Sequence, residues 1–198
     1  MSNLYSVMSQ AAGESTSPSY EGSLGFSESL DTVSGENGVW SQRTVDISDY
    51  AWAQVYLVFH YTNGAAGFRG DIQLDDINLD GTTYGFESDV ESFETTSGDP
   101  STYDAVTWAA LTTATSGSGK FLRDSGGTGS SNTGLAVGAN SSTFYVYAET
   151  SSPANVLGYN FWLRSPLVTL SGSPTLTYYE AREGEHIGTL NVHFDVVE

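Results

Sequence analysis

The side chains in this sequence that could do chemistry are mostly carboxylates. There are 24 Asp and Glu against six Lys and Arg, three His and no Cys. The first grouping is Asp75-Asp76, inside the segment GFRGDIQLDDINLD from Gly67 to Asp80. Strands normally avoid Asp, so an acid pair among alternating apolar residues is unusual. Two buried carboxylates repel unless a cation or a proton sits between them. The plainer arrangement has one acid accepting backbone N–H groups while the other faces water.

A second grouping is Glu180, Glu183 and Glu185. A carboxylate pair is what glycoside hydrolysis needs. Glu183 and Glu185, however, flank a glycine in the hairpin-like stretch AREGEH, which reads as a solvated turn. His60, His186 and His193 have no metal-ligand spacing, and His193 alternates with Val192 and Phe194 as a sheet-face residue would. There is no Gly-x-Ser-x-Gly elbow, phosphate loop or HExxH pair. The sequence therefore reads as non-enzymatic.

The elements that would position these acids are strands. Twelve Tyr and four Trp against two Met, with 22 Gly, favour short strands joined by turns. No helical periodicity runs longer than two turns. Strands are expected at Trp40 to Ile47, Ala53 to Tyr61, around Ile72 and Leu74, and from Tyr84 to Phe86. Further strands are expected at Thr107 to Thr115 around Trp108, Phe144 to Tyr147, Phe161 to Ser165, Thr175 to Glu180 and Ile187 to Val197. Asn63-Gly64 is a turn signal, and Ser116 to Asn132 reads as loop. Nine to eleven strands suit a two-sheet, antiparallel all-β sandwich of the jelly-roll kind.

At 198 residues the chain is one β domain or at most two small ones. Its net charge of −18 argues against nucleic acid or an anionic membrane as partner. No segment approaches the roughly 20 apolar residues of a membrane span. Without cysteine there is no disulfide framework and no thiolate zinc site. Residues 1–29 read as a polar arm, expected to lie on a neighbouring subunit or on the chain's own sheet.

Taken in order, several segments resemble the MAM domain, a jelly-roll adhesion module of many cell-surface proteins. Residues 86–198 resemble its beginning: Phe86-Glu87, Trp108, Arg123 to Gly134, Phe144 to Glu149, Leu163 to Pro166, Leu176 to Tyr179 and His186 to Val192. Residues 30–82 resemble its end: Gly35 to Trp40, Val45 to Ile47, Gln54 to Phe59, Gly70-Asp71-Ile72 and Asp75-Asp76-Ile77. The order is thus permuted, all cysteines are missing, and Asn140 stands near where an Asp-His-Thr triplet is common. Residues 30–198 are expected to form one permuted domain. The other arrangement is a swap, in which each half completes a neighbour's half.

The resemblance implies a metal site built from Glu87 and Asp76, with Asp75 or Glu149 as helpers. Hard oxygen ligands of this kind suit Ca2+ or Na+, though no cofactor is required. An adhesion-like module without cysteine or a secretory signal fits assembly in a reducing cytosol, as in a virion component. Partners would then be copies of itself or other virion proteins. The rival reading is a glycan-binding or host-adhesion module with Tyr159, Trp162 and Tyr178 as an aromatic platform. Phe161-Trp162 and Tyr178-Tyr179 are adjacent, so one member of each pair must face the core.

Overall fold

The computed structural model describes residues 20–21, 26–88, 91–97 and 120–197. In chain order the strands are β1 (Tyr20–Glu21), β2 (Phe26–Ser27), β3 (Asp31–Ser34), β4 (Ser41–Val45), β5 (Gln54–Thr62), β6 (Ile72–Leu79) and β7 (Thr82–Tyr84). They continue as β8 (Glu94–Ser97), β9 (Phe121–Ser125), β10 (Phe144–Ala148), β11 (Asn160–Arg164), β12 (Val168–Thr169), β13 (Leu176–Arg182) and β14 (Thr189–Val197). Among the described residues the only helical pieces are 3-10 turns at Ser48–Tyr50 and Ala139–Ser141.

The strands form two antiparallel sheets packed as a β-sandwich. The first runs β1-β2-β14-β5-β11-β8, with β3 also on β14 and β12 also on β5. The second runs β4-β13-β6-β10-β9, with β7 on β6. Four of the pairings are nested: β3 with β14, β4 with β13, β5 with β11 and β6 with β10. The first half of the chain, taken forwards, thus pairs with the second half taken backwards. Each sheet interleaves strands from both halves.

The core lies between the sheets and follows period-2 alternation. Val55, Leu57, Phe59 and Tyr61 of β5 are fully buried against Ile72, Leu74, Ile77 and Leu79 of β6. Leu176 and Tyr178 of β13 and Leu190, Val192 and Phe194 of β14 complete the same cluster. Across the sandwich, Asp31 of β3 takes a bidentate pair from Arg43 of β4, at 2.9 and 2.7 Å, and a Tyr178 hydroxyl at 2.9 Å. Burial works to raise the Asp31 pKa, but the bonds from Arg43 and Tyr178 outweigh it and hold the carboxyl below its usual range.

Two features depart from the sequence reading. β9 lies inside Ser116 to Asn132, where Gly and Ser suggest loop, because Phe121 and Leu122 are buried on opposite faces of the second sheet. Asn63-Gly64 does not close a hairpin. β5 and β6 belong to different sheets, and residues 63–71 cross between them. The crossing packs tightly: an added Cβ on Gly64 would lie 2.5 Å from the Ile187 carbonyl oxygen, so glycine is required there. Within the expected arm of residues 1–29, β1 and β2 lie on the chain's own first sheet. Phe26 is buried, and β2 is tied to β14 by a Phe194 N–H donating to the Ser27 hydroxyl at 2.9 Å. The expected strand around Trp108 lies outside the described residues.

Candidate functional site: an acid ladder beneath a surface loop

The GDIQLDDI motif enters β6, and its alternation divides its labour. Ile72 and Leu74 face the core, so Asp71, Gln73 and Asp75 point to the outer face of the second sheet. All three are nonetheless fully buried. They are covered by residues 126–143, the connection from β9 to β10.

Gln73 and Asp75 grip that connection, while Asp71 is held by Thr150 just past β10. Gln73 behaves like a strand partner: its Nε2 donates to the Leu135 carbonyl at 3.0 Å, and its Oε1 accepts the Leu135 N–H at 2.6 Å. One oxygen of Asp75 accepts the Ala139 N–H at 2.8 Å and the Ser142 hydroxyl at 2.7 Å; the other accepts the Asp76 N–H at 2.7 Å. Gly138 makes the close approach possible, since a Cβ there would lie 2.7 Å from the Asp75 carboxylate. Burial pushes the Asp75 carboxyl up to about 7 against these bonds, and the neighbouring Asp76 charge adds to the rise.

Asp76 is where the alternation slips. The β6–β13 register shifts between Thr177 and Tyr179, and Asp76 adopts φ 44. A bulge inserts one extra residue, which returns Ile77 and Leu79 to the core. Asp76 accepts the Asn140 side-chain amide at 2.8 Å. Asn140 and Ser141 also carry positive φ, so the loop turns sharply where it is held. Glu87 accepts the backbone N–H groups of Thr143 and Phe144, at 2.9 and 2.7 Å, where the loop enters β10. Arg123 of β9 closes this end, donating to the Glu87 carbonyl and lying 3.5 Å over the Phe144 ring.

The acids expected to share one metal are therefore split between two places. Asp75, Asp76 and Glu87 gather at the start of β10. Glu149 follows its far end, about 17 Å of strand away from Phe144. There Glu149 accepts the Ser151 N–H at 2.8 Å and the Tyr147 hydroxyl at 3.3 Å. In the first group Asp75 meets donors on both oxygens, while Asp76 and Glu87 each meet them on one. Among the described residues no three Asp, Glu, His or Cys side chains converge as a metal would require.

Near Glu149 stands a residue that the sequence reading did not single out as a ligand. Asp71 accepts the Thr150 N–H and hydroxyl on Oδ1, at 3.0 and 2.8 Å. Its Oδ2 is buried with no donor among the described residues. Burial, then the charge of Glu149, pushes its pKa up to about 6. The signal was present in the alternation itself: Asp71 is two residues before Gln73 and four before Asp75.

The aromatic platform is not assembled. Tyr178 is fully buried, donating to Asp31 and packed edge-on to Phe59 at 5.2 Å. Trp162 is only 7% exposed; it stacks on His60 at 3.7 Å and on Phe26 at 5.6 Å. Tyr159 is partly buried against Phe161 at 5.3 Å. Among the described residues the most exposed aromatic ring is Trp52, 75% exposed, ahead of Phe68 at 42%. It has φ 69, unusual for a bulky residue. Its indole lies over Gly172, where a Cβ would come within 2.4 Å of the ring. The Trp52 backbone N–H donates to the Ser171 carbonyl, and both oxygens of Asp80 hold Ser171 in place.

Compared with protein-family models, with curated proteins and with solved structures, the chain gives no match.

Proposed function

We propose that this protein is a non-enzymatic interaction module, a MAM-like jelly roll of permuted order, serving as a surface component of a virus particle. It would act as a head-decoration, fibre or tail-appendage protein through contacts with copies of itself or with other particle proteins. The observation that carries this reading is how the acids are used. In the ladder and its flanks, Asp75, Asp76 and Glu87 are each spent on fixing the 126–143 loop, so the site builds a presented surface rather than a cleft. The nested pairing of the two halves supports the jelly roll, because a long antiparallel ribbon rolled on itself gives that pattern. The neighbouring positions of β2, β3 and β14 in one sheet place the two ends of the fold together, which is the condition a permutation needs. The absence of cysteine fits assembly in a reducing compartment.

Antiserum against the chain tests this on gradient-purified particles from the cells that make it. Label on the particles is the expected result. Protein confined to the particle-free fraction overturns the reading.

Trp52 favours a second reading, a glycan-binding or host-adhesion module. A flat ring backed by Gly172 and open on its other side is a surface on which a sugar can stack. Replacing Trp52 with Ala would then abolish attachment to host cells while leaving the fold intact. Unchanged attachment removes Trp52 from this role.

A further inference from the structure

The far end of the ladder differs from the rest. Continuing the β6–β10 register one residue beyond Ala148↔Ile72 sets Glu149 directly across from Asp71 on the outer face. Both carboxylates are buried. Every oxygen of Asp75 meets a donor, but Asp71 Oδ2 meets none among the described residues. The Thr128 hydroxyl lies beside Asp71 and eases its burial; the same oxygen is 3.1 Å from the Thr133 carbonyl and 2.9 Å from the Thr133 hydroxyl. Ser130 and Ser151, with hydroxyls 3.2 Å apart, bring further neutral oxygens to this edge of the loop. On β9 the same register sets Lys120 opposite Glu149, a position from which it can balance part of the charge at the rim.

We infer that Asp71 and Glu149 hold a divalent hard cation, Ca2+, completed by neutral oxygens of the 126–133 segment. Two acids facing each other in a dry site with an unmet oxygen call for positive charge. Two carboxylates balance one Ca2+, and hydroxyl and carbonyl oxygens are its usual remaining ligands. The ion pins the β9 end of the loop as Asp75 and Gln73 pin its β10 end. Its presence does not depend on whether the chain belongs to a particle.

The test is thermal unfolding of the chelator-stripped full chain at pH 7.5, with and without millimolar Ca2+ at constant ionic strength. Tb3+ luminescence, sensitised by the adjacent Tyr147, is read in parallel. Binding of Ca2+ raises Tm by roughly 5 °C or more, and Ca2+ displaces the Tb3+ signal. Asp71→Asn and Glu149→Gln each abolish both effects, whereas Glu87→Gln retains them. Should Asp71→Asn not fold, Glu149→Gln and the wild-type titration decide the matter. No Ca2+ response in the wild type overturns the site. So does a Tm that rises only on acidification, which would mean a shared proton, or a response to Na+ alone. Retention of both effects in Glu149→Gln places any bound ion elsewhere and overturns it as well.

Discussion

Part of the outer face of each sheet is buried, and the two parts are buried by opposite means. On the second sheet, Gln73 and Asp75 bind the loop and Asp71 binds Thr150, all by directed hydrogen bonds. On the first, Val58, Trp162 and Phe26 form an apolar cluster of their own, with Tyr56 against it and His60 stacked on Trp162. One cover is specified by donors and acceptors at fixed positions, the other by area and ring stacking. A polar clamp sets the loop's conformation closely but fails if one partner is lost, because the remaining groups stay buried and unpaired. An apolar clamp is stronger per residue and less particular about geometry.

This contrast predicts a graded set of losses. Trp162→Ala should cost the most, about 3–5 kcal/mol in urea unfolding. Trp162→Phe should recover most of it, because ring area rather than a hydrogen bond is at stake: Nε1 of Trp162 has no partner among the described residues. If Phe rescues nothing, the apolar description of that face is wrong. Asp75→Ala should cost about 2–3 kcal/mol by stranding the Ala139 and Asp76 N–H groups. Here the isosteric Asn should rescue only partly, since its amide N–H would confront a donor. Gln73→Ala should cost about 1–2 kcal/mol. Its clearest readout is faster amide hydrogen exchange at Leu135, with β5 and β14 unaffected.

Much of this was legible in the sequence, and what was hidden was hidden for physical reasons. Alternation around Ile72 and Leu74 announced a strand, and the adjacency of Tyr178 and Tyr179 announced that one ring must be core. Tyr178 is the buried one, and Tyr179 lies on the outer face. The phase slip at Asp76 could not be read, because a bulge is fixed by the partner strand β13 rather than by local propensity. β9 was masked by the Gly and Ser around it. The burial of Asp71, Gln73 and Asp75 was masked for another reason: polar alternation ordinarily means a solvated face, and only the loop's path reverses that. Exposed Trp52 gave no sequence signal, since a Trp ahead of a strand is usually core.

The smallest effect expected is also the one that separates the two faces without removing a side chain's bulk. Asp75 has a pKa near 7 in the fold against an ordinary value of 3.8. The folded protein therefore holds this proton more tightly than the unfolded chain does. Its contribution to stability is complete below pH 3.8 and is lost as pH rises towards 7. Asp71, raised to about 6, and Asp195, also raised, act in the same direction. Asp31 acts in the opposite sense: its contribution is present above 3.8 and fails only in stronger acid. In chelator, Tm should accordingly fall as pH rises from about 4 to 7. Asp75→Asn should flatten that slope, whereas Trp162→Phe should leave it unchanged. An equal slope in Asp75→Asn and wild type would show that Asp75 stays ionised beneath its loop, and that the clamp on the second sheet works as a charged rather than a protonated one.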